Sequence, residues 1–484
     1  MSDPDLSAHP GPMPGPSPAR LSARAAIALV TDDFVPLATA PAPALRDGPD
    51  GPLGWTGYDA SRARAAERTG EDESVLCGTA TVDGHGCVLV VFEFGFLGGS
   101  LGRTAGDRLV AAHRAAADRR LPLVSLVATG GSRMQEGMIA LGQLQRVAAA
   151  TVELRAAGVP HLAVLRDPAT GGGWATVGAG GDVVLALPSA QVAFAGSRVR
   201  PPEADPAAYT AEDQYAHGHV DALVPAAELR ATLGRWLRLL TPTPEPTTGP
   251  GPAPAPTAPA PPPAALGSAA PPATGWDAVL AARAAGRPRA DAYLDAYFTL
   301  RATIRGDRTG SVDPTVECGF GLRADGRVVA YAAQCGGATR PAGFRTAARL
   351  VRLADRLGIP VLTLIDTPGA ANDAAAERAG AGPAIAEAFA AIAAARTPVT
   401  SLLIGEGGSG GALALAAPGA TWAAPDAYFS VIAPELAAQI LKRDPERVPE
   451  TAGQLRIRPQ DLVDLGVVRG IVRGAAHGTV TSSE

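Results

Sequence analysis

A set of apolar segments recurs along this chain at an almost constant offset, and this recurrence limits its fold more than any other feature. In the first half, Pro122 and Pro160 each open an apolar run. In the second half, Pro360 and Pro398 open similar runs with the same separation. We call the distance in sequence from Pro122 to Pro360 the repeat offset, and a third pair of prolines follows at nearly the same distance. We interpret this register as a tandem duplication of one structural unit.

The boundary between the two copies is a proline-rich segment, 241–274, which begins TPTPEPTTGPGPAPAP. Proline fixes φ and removes a backbone donor, so this segment is predicted to be an extended, semi-rigid spacer without a core. Residues 1–20 are also polar and rich in proline, and they are predicted to be disordered. The units that remain are 21–240 and 275–484, as expected for a chain too long for one ordinary core.

Each copy alternates strand-like and helix-like segments. Apolar runs such as LPLVSLVATGG and IPVLTLIDTPGA end in glycine-rich turns, and apolar residues recur at helical spacing in 107–120 and 343–358. This alternation predicts an α/β fold with mainly parallel strands. In each copy, a strand pair with a polar turn, in 82–94 and 324–334, is predicted to lie at the sheet edge. Ligands of such sheets bind at the carboxyl ends of the strands, where the glycine-rich loops fall.

The composition argues against several classes of protein. The net charge is −5 and Lys442 is the only lysine, so no overall basic field favours nucleic acid or an anionic membrane. There is no uninterrupted apolar run of about 18 residues, so no membrane span is expected. The four cysteines are scattered without a Cys-x-x-Cys pair, which predicts no metal site and a reducing, cytoplasmic setting.

Glycine-bearing loops between a strand and a helix are the best candidates for a functional site. Each copy has two of them, at 130–131 and 171–172 and at 369–370 and 410–411. Glycine lets the backbone approach a ligand, and the helix N-terminus behind it adds partial positive charge. Two convergent N–H donors can hold an oxygen that becomes negative, such as the thioester oxygen of an enolate. The alternative is that these glycines only permit tight turns and close packing of helix on strand.

The loop LIGEGGSGGALALA, at 403–416, also has the spacing of a dinucleotide-binding turn. Gly405, Gly407 and Gly410 satisfy G-x-G-x-x-G. Against a phosphate site, Glu406 places a carboxylate among the positions that would face phosphates, and the corresponding loop of the first copy lacks the spacing. The glycine pair between a strand and a helix, which both copies share, explains the loop better.

A nucleophile triad is a weaker alternative for the same loop. Ser409 sits in a G-G-S-G-G sequence, but the only histidine of the second copy is His477, close to the C-terminus. A triad on Ser409 would need a histidine from the other domain. The shortage of histidine favours chemistry in which backbone donors hold the charge.

Longer motifs resemble a known family. The second copy is similar to the α subunit of acetyl-CoA carboxylase carboxyltransferase in RPRADAYLDAYF, GDRTGSVDP, AGFRTAARLVRLADRLGIPVLTLIDTPGA and VTSLLIGEGGSGGALALA. The first copy resembles the β subunit in FEFGFLGGSLG, TGGSRMQEG and DPATGGGWATVGAGGDVVLALPSAQVAFAGSRV. The resemblance covers about 55–240 and 285–475. It implies two tandem crotonase-fold domains of the ClpP/crotonase-like β-β-α superhelical kind, β-like and then α-like, without the zinc ribbon of the β subunit.

The resemblance implies transfer of a carboxyl group from carboxybiotin to the α-carbon of an acyl-CoA, with acetyl-CoA the expected substrate. In this family, peptide N–H groups hold the reacting oxygens. By position, Gly171 and Gly172 would serve the acyl thioester, and Gly410 and Gly411 would serve biotin. The other residues expected to contact substrate are Gly130, Gly131, Ser132, Arg133, Gly196, Gly369 and Ala370.

The second copy departs from the α subunit in two segments. AAQCGGATRPAGFR lacks the lysine-bearing stretch usual there, so CoA phosphates would depend on arginines such as Arg133, Arg198, Arg340 or Arg345, each of which could instead be a surface cation. Residues 371–382 replace the usual proline-glycine continuation. Access of substrate or biotin could therefore differ, and a weakened activity is one of the alternatives.

Biotin must come from another protein, because Lys442 lies in ILKRDPE and not in a biotinyl turn. The resemblance therefore implies a separate biotin carboxyl carrier protein, a biotin carboxylase and a homo-oligomer of this chain. It leaves open whether the active site forms within one chain or between two. Two other functions remain open: a biotin-independent decarboxylase of malonyl thioesters, and a non-catalytic scaffold that binds acyl-CoA or regulates a carboxylase.

Overall fold

The computed structural model describes residues 20–38, 48–241, 258–268 and 270–474. The predicted disordered segment before residue 20 and the spacer from 242 to 257 lie outside these residues. The strands of the first unit are β1 (Asp33–Pro36), β2 (Val75–Val82), β3 (His85–Phe92), β4 (Leu123–Thr129), β5 (His161–Thr170), β6 (Val183–Ala186), β7 (Val192–Ala193) and β8 (Ala222–Leu223). Its helices are α1 (Ala23–Val30), α2 (Tyr58–Thr69), α3 (Arg103–Arg119), α4 (Gly137–Ala156), α5 (Gly171–Gly173), α6 (Ala211–Ala216) and α7 (Leu229–Leu240).

The second unit has the same alternation of elements. Its strands are β9 (Leu300–Ile304), β10 (Val316–Leu322), β11 (Val328–Gln334), β12 (Val361–Thr367), β13 (Val399–Gly408), β14 (Thr421–Ala423) and β15 (Tyr428–Ser430). Its helices are α8 (Gly275–Arg283), α9 (Ala290–Tyr297), α10 (Pro341–Leu357), α11 (Ala374–Arg378), α12 (Ala381–Ala394), α13 (Ser409–Leu413), α14 (Pro434–Ile440), α15 (Val448–Gln454) and α16 (Pro459–Asp464). The helices predicted at 107–120 and 343–358 are confirmed as α3 and α10.

Each unit contains one mixed sheet. In the first, the order is β1-β2-β3-β4-β5-β6-β8, and β7 also pairs with β5. The strands from β3 onward pair in parallel, while β1, β2 and β3 are antiparallel neighbours. In the second sheet the order is β14-β13-β12-β11-β10-β9, and β15 also pairs with β13. The predicted α/β fold with mainly parallel pairing is confirmed.

The duplication extends to an irregularity in the strand pairing. The starts of β4 and β12 are separated by the repeat offset, and so are the starts of β5 and β13. The register between β4 and β5 shifts between Val127 and Thr129, and the register between β12 and β13 shifts between Ile365 and Thr367. The repeat offset relates these two shifts as well. The repeated unit therefore includes the bend that leads each central strand into its glycine-bearing loop.

The hairpins predicted to form the sheet edges are internal. β1 covers β2, and β9 covers β10, both in antiparallel pairing. The prediction was wrong because α2 separates β1 from the strand with which it pairs, and the four residues of β1 carry no strong periodicity. A strand this short is defined by its partner and not by its own sequence.

The second part of the predicted spacer packs against the second unit. Ala260 and Ala265 are buried, and the backbone N–H of Ala265 donates to the carbonyl of Arg473 at 2.9 Å. The hydroxyl of Tyr297 donates to the carbonyl of Pro261 at 2.7 Å. Proline lacks an N–H but keeps its carbonyl, so an extended proline-rich chain can accept hydrogen bonds from a folded surface.

The two units meet through apolar and charged contacts. One hydrophobic cluster contains buried residues of both, and the rings of Trp236 and Phe320 meet edge to face with centroids 6.3 Å apart. The buried Asp221 of the first unit accepts hydrogen bonds from Arg308 and Arg349 of the second. Within the described ranges, no helix is long and apolar enough to cross a membrane.

Candidate active site

The two glycine-bearing loops of the first domain touch each other at the carboxyl ends of β4 and β5. Gly131 has φ +107° and Gly171 has φ +64°, backbone conformations that side chains disfavour. A Cβ on Gly171 would lie 2.9 Å from the Cα of Gly131. Gly196 follows β7 beside the same loop, since a Cβ there would lie 3.9 Å from Thr170 Oγ1. Gly131, Gly171 and Gly196 therefore form one cluster.

The second domain brings its loops together in the same way. Gly369 has φ +139°, and a Cβ on it would lie 3.4 Å from the carbonyl oxygen of Gly408. A Cβ on Gly411 would clash with the backbone of Gly369 and Ala370, whereas a Cβ on Gly410 would meet nothing within 4 Å. Gly411 is therefore a packing requirement, and Gly410 faces open space.

The structure corrects the matching of the two helix-opening loops. The sequence pairs Gly171–Gly172 with Gly410–Gly411, but the strands before them end at Thr170 and Gly408, and these two ends are related by the repeat offset. Gly171 thus corresponds to Ser409, and Gly172 to Gly410. Ser409 has φ +55°, which repeats the left-handed conformation of Gly171 in a residue that carries a side chain. The error arose because a Gly-Gly pair can be aligned in either of two registers.

Several of the predicted glycines use their N–H groups inside the protein. The N–H of Gly130 donates to the carbonyl of Gly98 at 2.8 Å, and that of Gly171 donates to the carbonyl of Phe194 at 3.0 Å. Gly131 and Gly369 donate to the hydroxyls of the threonines two positions earlier, at 3.0 and 3.1 Å. These glycines shape the loops and are not free to donate to a ligand.

Other backbone donors at the loops remain open. Among the hydrogen bonds of the described residues, the N–H groups of Ser132 and Gly172 have no acceptor, and neither do those of Ala370 and Gly410. The repeat offset relates the first pair to the second. Each domain therefore presents two unsatisfied N–H groups, one from each of its loops. Such pairs are suited to hold a negatively charged oxygen.

A third glycine pair supports each site and was not among the predicted residues. Gly98–Gly99 follows β3 and precedes α3, and Gly336–Gly337 follows β11 and precedes α10. In the first domain, the carbonyl of Gly98 fixes the N–H of Gly130, and a side chain on Gly99 would clash with the carbonyl of Ala128. The two pairs are separated by the repeat offset, so the repeat in the sequence could have identified them as part of the site.

Arg133 is corrected from a substrate contact to a buried structural residue. Its side chain is 1% exposed, and its guanidinium is bound to both carboxylate oxygens of Glu73, with Nη1 3.0 Å from Oε2. It also contacts Glu136 and the hydroxyl of Tyr58. Burial is the main cause that raises the pKa of Tyr58 to about 12, so this hydroxyl stays protonated and donates to Glu136 at 2.6 Å. This network anchors the loop that carries Ser132.

The other arginines considered for CoA phosphates differ in whether a carboxylate pairs with them and in where they lie. Arg340 pairs with Asp373 on the surface, and Arg345 pairs with Asp307. Arg198 is exposed in the loop that follows Gly196. Arg198 is thus the candidate that lies beside the first cluster.

Histidines are absent from the loops within the described parts of the chain. His161 opens β5, and a strand of ten residues separates it from the glycine loop. It is buried against His113, with ring centroids 5.7 Å apart, and shares a hydrogen bond with Ser125. In the same described parts, no group of His, Cys, Asp and Glu is arranged to hold a metal ion.

Two domains built on one repeated plan, each with paired backbone donors at the carboxyl ends of its central strands, define a tandem crotonase-fold protein. Family models match both: "Carboxyl transferase domain" over residues 55–239 and "Acetyl co-enzyme A carboxylase carboxyltransferase-like" over residues 271–484. The acetyl-coenzyme A carboxylase carboxyl transferase subunits beta/alpha of Saccharopolyspora erythraea are 40% identical over 447 residues, covering 88% of this chain and 76% of the relative. The chain belongs to the acetyl-CoA carboxylase carboxyltransferase family, with β-like and α-like halves fused.

More distant relatives agree with this assignment. A protein of the same name in Clostridium tetani is 32% identical over 436 residues, covering 87% of this chain and 74% of the relative. Among solved structures, transcarboxylase 12S with hydrolyzed methylmalonyl-coenzyme A bound has a TM-score of 0.73 at 21% identity, covering 94% of this chain and 87% of the other. A single-chain, multi-domain long-chain acyl-CoA carboxylase has a TM-score of 0.69 at 19% identity, covering 93% of this chain and 44% of the other. These structural likenesses confirm the crotonase-type fold.

Proposed function

We propose that this chain is the carboxyltransferase component of a biotin-dependent acetyl-CoA carboxylase. It moves the carboxyl group of carboxybiotin to the α-carbon of acetyl-CoA and releases malonyl-CoA, and the biotin nitrogen that loses the carboxyl group takes up the α-proton. The observation that carries the proposal is the repeated pair of open N–H groups, one pair in each domain. The reaction has two oxygens that need such donors, the thioester oxygen of the acyl-CoA and the ureido oxygen of biotin.

In the first domain, the N–H groups of Ser132 and Gly172 would hold the thioester oxygen. Negative charge on this oxygen increases as the α-proton leaves, so donors aimed at it lower the barrier to enolisation. Gly130, Gly131 and Gly171 would keep these donors in place, and Gly196 with Arg198 would flank the CoA.

In the second domain, the N–H groups of Ala370 and Gly410 would hold the ureido oxygen. Carboxybiotin is a substrate supplied by another protein, and it contributes the carboxyl group. Gly369 and Gly411 would allow the two loops to approach closely enough for both donors to reach one oxygen. The described residues of these loops include no histidine, which supports a mechanism based on backbone donors.

The proposal requires partners. A biotin carboxyl carrier protein and a biotin carboxylase would supply the carboxyl group, and all of them would act in the cytoplasm. We also propose a homo-oligomer, because apolar side chains are exposed beside the first cluster. Met134, Met138 and Leu141 are 75%, 75% and 45% exposed, and the last two lie on one side of α4. Such a face is typical of a surface that another protein covers.

The test is reconstitution of the full chain with a biotinylated carrier, biotin carboxylase, ATP and labelled bicarbonate. We expect labelled malonyl-CoA from acetyl-CoA, and a comparison with propionyl- and butyryl-CoA gives the preferred chain length. A carrier charged with carboxybiotin but no transfer to any acyl-CoA would contradict the proposal. Release of carbon dioxide from malonyl-CoA without a carrier would instead identify a decarboxylase.

A further inference from the structure

An open cavity of about 510 Å³ lies between the two domains, near the amino ends of the central strands. One wall comes from the first domain, including Asp182, which precedes β6 and binds the backbone N–H of His161 at the start of β5. The other wall comes from α10, from Glu387 on α12 and from the loop after β9. β5 has ten residues, and at about 3.3 Å per residue its far end is roughly 30 Å away. The cavity is therefore separate from the glycine-rich loops.

The cavity is lined mainly by arginine. Six guanidinium groups converge on it, from Arg155, Arg308, Arg345, Arg349, Arg352 and Arg356. Among the described residues, four carboxylates pair with them, those of Asp182, Asp221, Asp307 and Glu387. Six positive and four negative charges leave an excess of two positive charges in a recess between two domains.

The excess arises because two carboxylates each serve two guanidinium groups. Asp182 Oδ1 lies 2.6 Å from Arg356 Nη2 and 3.7 Å from Arg155 Nε. Asp221, whose side chain is wholly buried, lies 2.5 Å from Arg308 Nη2 and 3.1 Å from Arg349 Nη2. Arginines from both domains are thus held close to one another without full neutralisation.

Arg308 bears part of this electrostatic repulsion. Burial lowers its pKa and the charge of Arg349 lowers it further, against the opposite effect of Asp221. Arg308 also has φ +63°, a conformation that residues with a side chain disfavour. The loop GDRTG therefore holds Arg308 in an unfavourable backbone conformation. It also places the Arg308 guanidinium beside the like charge of Arg349. A bound anion would offset this repulsion.

We propose that this interdomain cavity binds an anion carrying a pyrophosphate group, either inorganic pyrophosphate or a nucleoside diphosphate. Planar guanidinium groups match phosphate oxygens with paired hydrogen bonds. The volume falls in the range of small-molecule sites, about 300–1,000 Å³. Leu353 is the only large apolar side chain of the lining, so recognition concerns the phosphates. Because both domains contribute arginines, a bound anion holds the domains together. This inference does not depend on the proposed function.

The test measures binding of inorganic pyrophosphate and of ADP to the full chain by calorimetry and thermal unfolding, with sulfate at equal ionic strength as reference. The cavity variant is Arg155→Ala/Arg352→Ala, because these side chains are 43% and 54% exposed and do not touch Asp221. The matched control is Arg114→Ala/Arg396→Ala, two surface arginines outside the cavity that are 65% and 83% exposed.

We expect saturable binding of pyrophosphate and a rise in Tm that increases with its concentration. The cavity variant should bind at least about tenfold more weakly, since it loses two charge-assisted contacts, and the control should bind normally. Tighter binding of ADP that keeps this pattern would identify a nucleotide as the source of the pyrophosphate. The proposal is overturned if pyrophosphate stabilises no more than sulfate, or if the cavity variant and the control bind alike. Should the double variant not fold, Arg352→Ala alone provides the same comparison.

Discussion

Gly171 approaches Gly131 so closely that a side chain at Gly171 would press against the backbone of the other loop of the first domain. A Cβ on Gly171 would lie 2.9 Å from the Cα of Gly131, and Gly171 has φ +64°. The contact joins the end of β5 to the end of β4. It thereby fixes the distance between the two open N–H groups, of Ser132 and Gly172, that we assign to the acyl thioester.

Replacement of Gly171 by alanine should therefore abolish most of the activity. The left-handed conformation costs an alanine about 1–2 kcal/mol, and relief of the clash moves Gly172 away from its position. A displaced oxyanion donor lowers turnover by roughly a hundredfold or more. Steady-state kinetics and urea unfolding measure the two effects. Gly142→Ala is the control, since a Cβ there meets nothing within 4 Å. Normal turnover of Gly171→Ala would refute the assigned role.

Gly410 and Gly411, in the loop that we assign to biotin, should respond differently to replacement by alanine. Gly411→Ala clashes with Gly369 and Ala370, so it should lower both Tm and activity. Gly410→Ala places its methyl group in open space, so Tm should stay unchanged. We expect it to raise the KM for the carboxylated carrier and to leave the KM for acetyl-CoA as it is. Unchanged kinetics of Gly410→Ala with both substrates would show that this loop does not face biotin.

The buried pair of Glu73 and Arg133 should be needed for stability. Glu73→Ala leaves the buried Arg133 with Glu136, 3.4 Å away, as its remaining carboxylate partner. Loss of one partner of a buried ion pair costs about 3–5 kcal/mol, so we expect the free energy of unfolding to fall by up to that amount. The matched control is Glu450→Ala, which removes an exposed partner of Arg447 and should have no measurable effect. Equal stability of the two variants in urea unfolding would contradict this role of the buried pair.

The same pair should make stability depend on pH in the acid range. Burial acts to raise the pKa of Glu73, but hydrogen bonds from Arg133 and its charge outweigh burial, and the pKa is lowered from 4.5. A lowered pKa stabilises the fold above the unfolded value and loses that contribution as pH falls. Urea unfolding from pH 6 to 3 should therefore show a loss of stability below about pH 4.5. Glu73→Gln should flatten this part of the profile.

His161 should cause a second loss of stability at a higher pH. Burial, with smaller contributions from His113 and Arg155, holds its pKa well below 6.5. The unfolded chain then binds a proton that the folded chain excludes, so stability is greatest above pH 6.5 and decreases as pH falls below it. Urea titrations at pH 7.5, 6.5 and 5.5 would measure the slope. The double variant His161→Phe/Ser125→Ala removes both hydrogen-bond partners, and it should reduce the slope; an unchanged slope would contradict the assignment to His161.

The sequence by itself determined the repeated plan and the place of the two candidate clusters. The matched spacing of prolines in the two halves, the helical periodicity of 343–358 and the glycines after each strand are local features, and local features depend on backbone preferences that neighbours in sequence set. The same repeat contained the third glycine pair, Gly98–Gly99 and Gly336–Gly337, although the pair was not predicted.

Only the tertiary structure decided which groups at those clusters are free. Gly171 and Gly172 look alike in sequence, but the N–H of Gly171 is bound to a carbonyl from the loop after β7 and that of Gly172 is not. Arg133 resembles any other arginine in sequence, yet it is buried against Glu73, which lies 60 residues earlier. The burial and the hydrogen-bond partners of these groups are provided by residues distant in the chain. They are therefore defined only once the tertiary structure has formed. The ends of the predicted strands give the position of each cluster, and the tertiary contacts determine which of its N–H groups can bind a ligand.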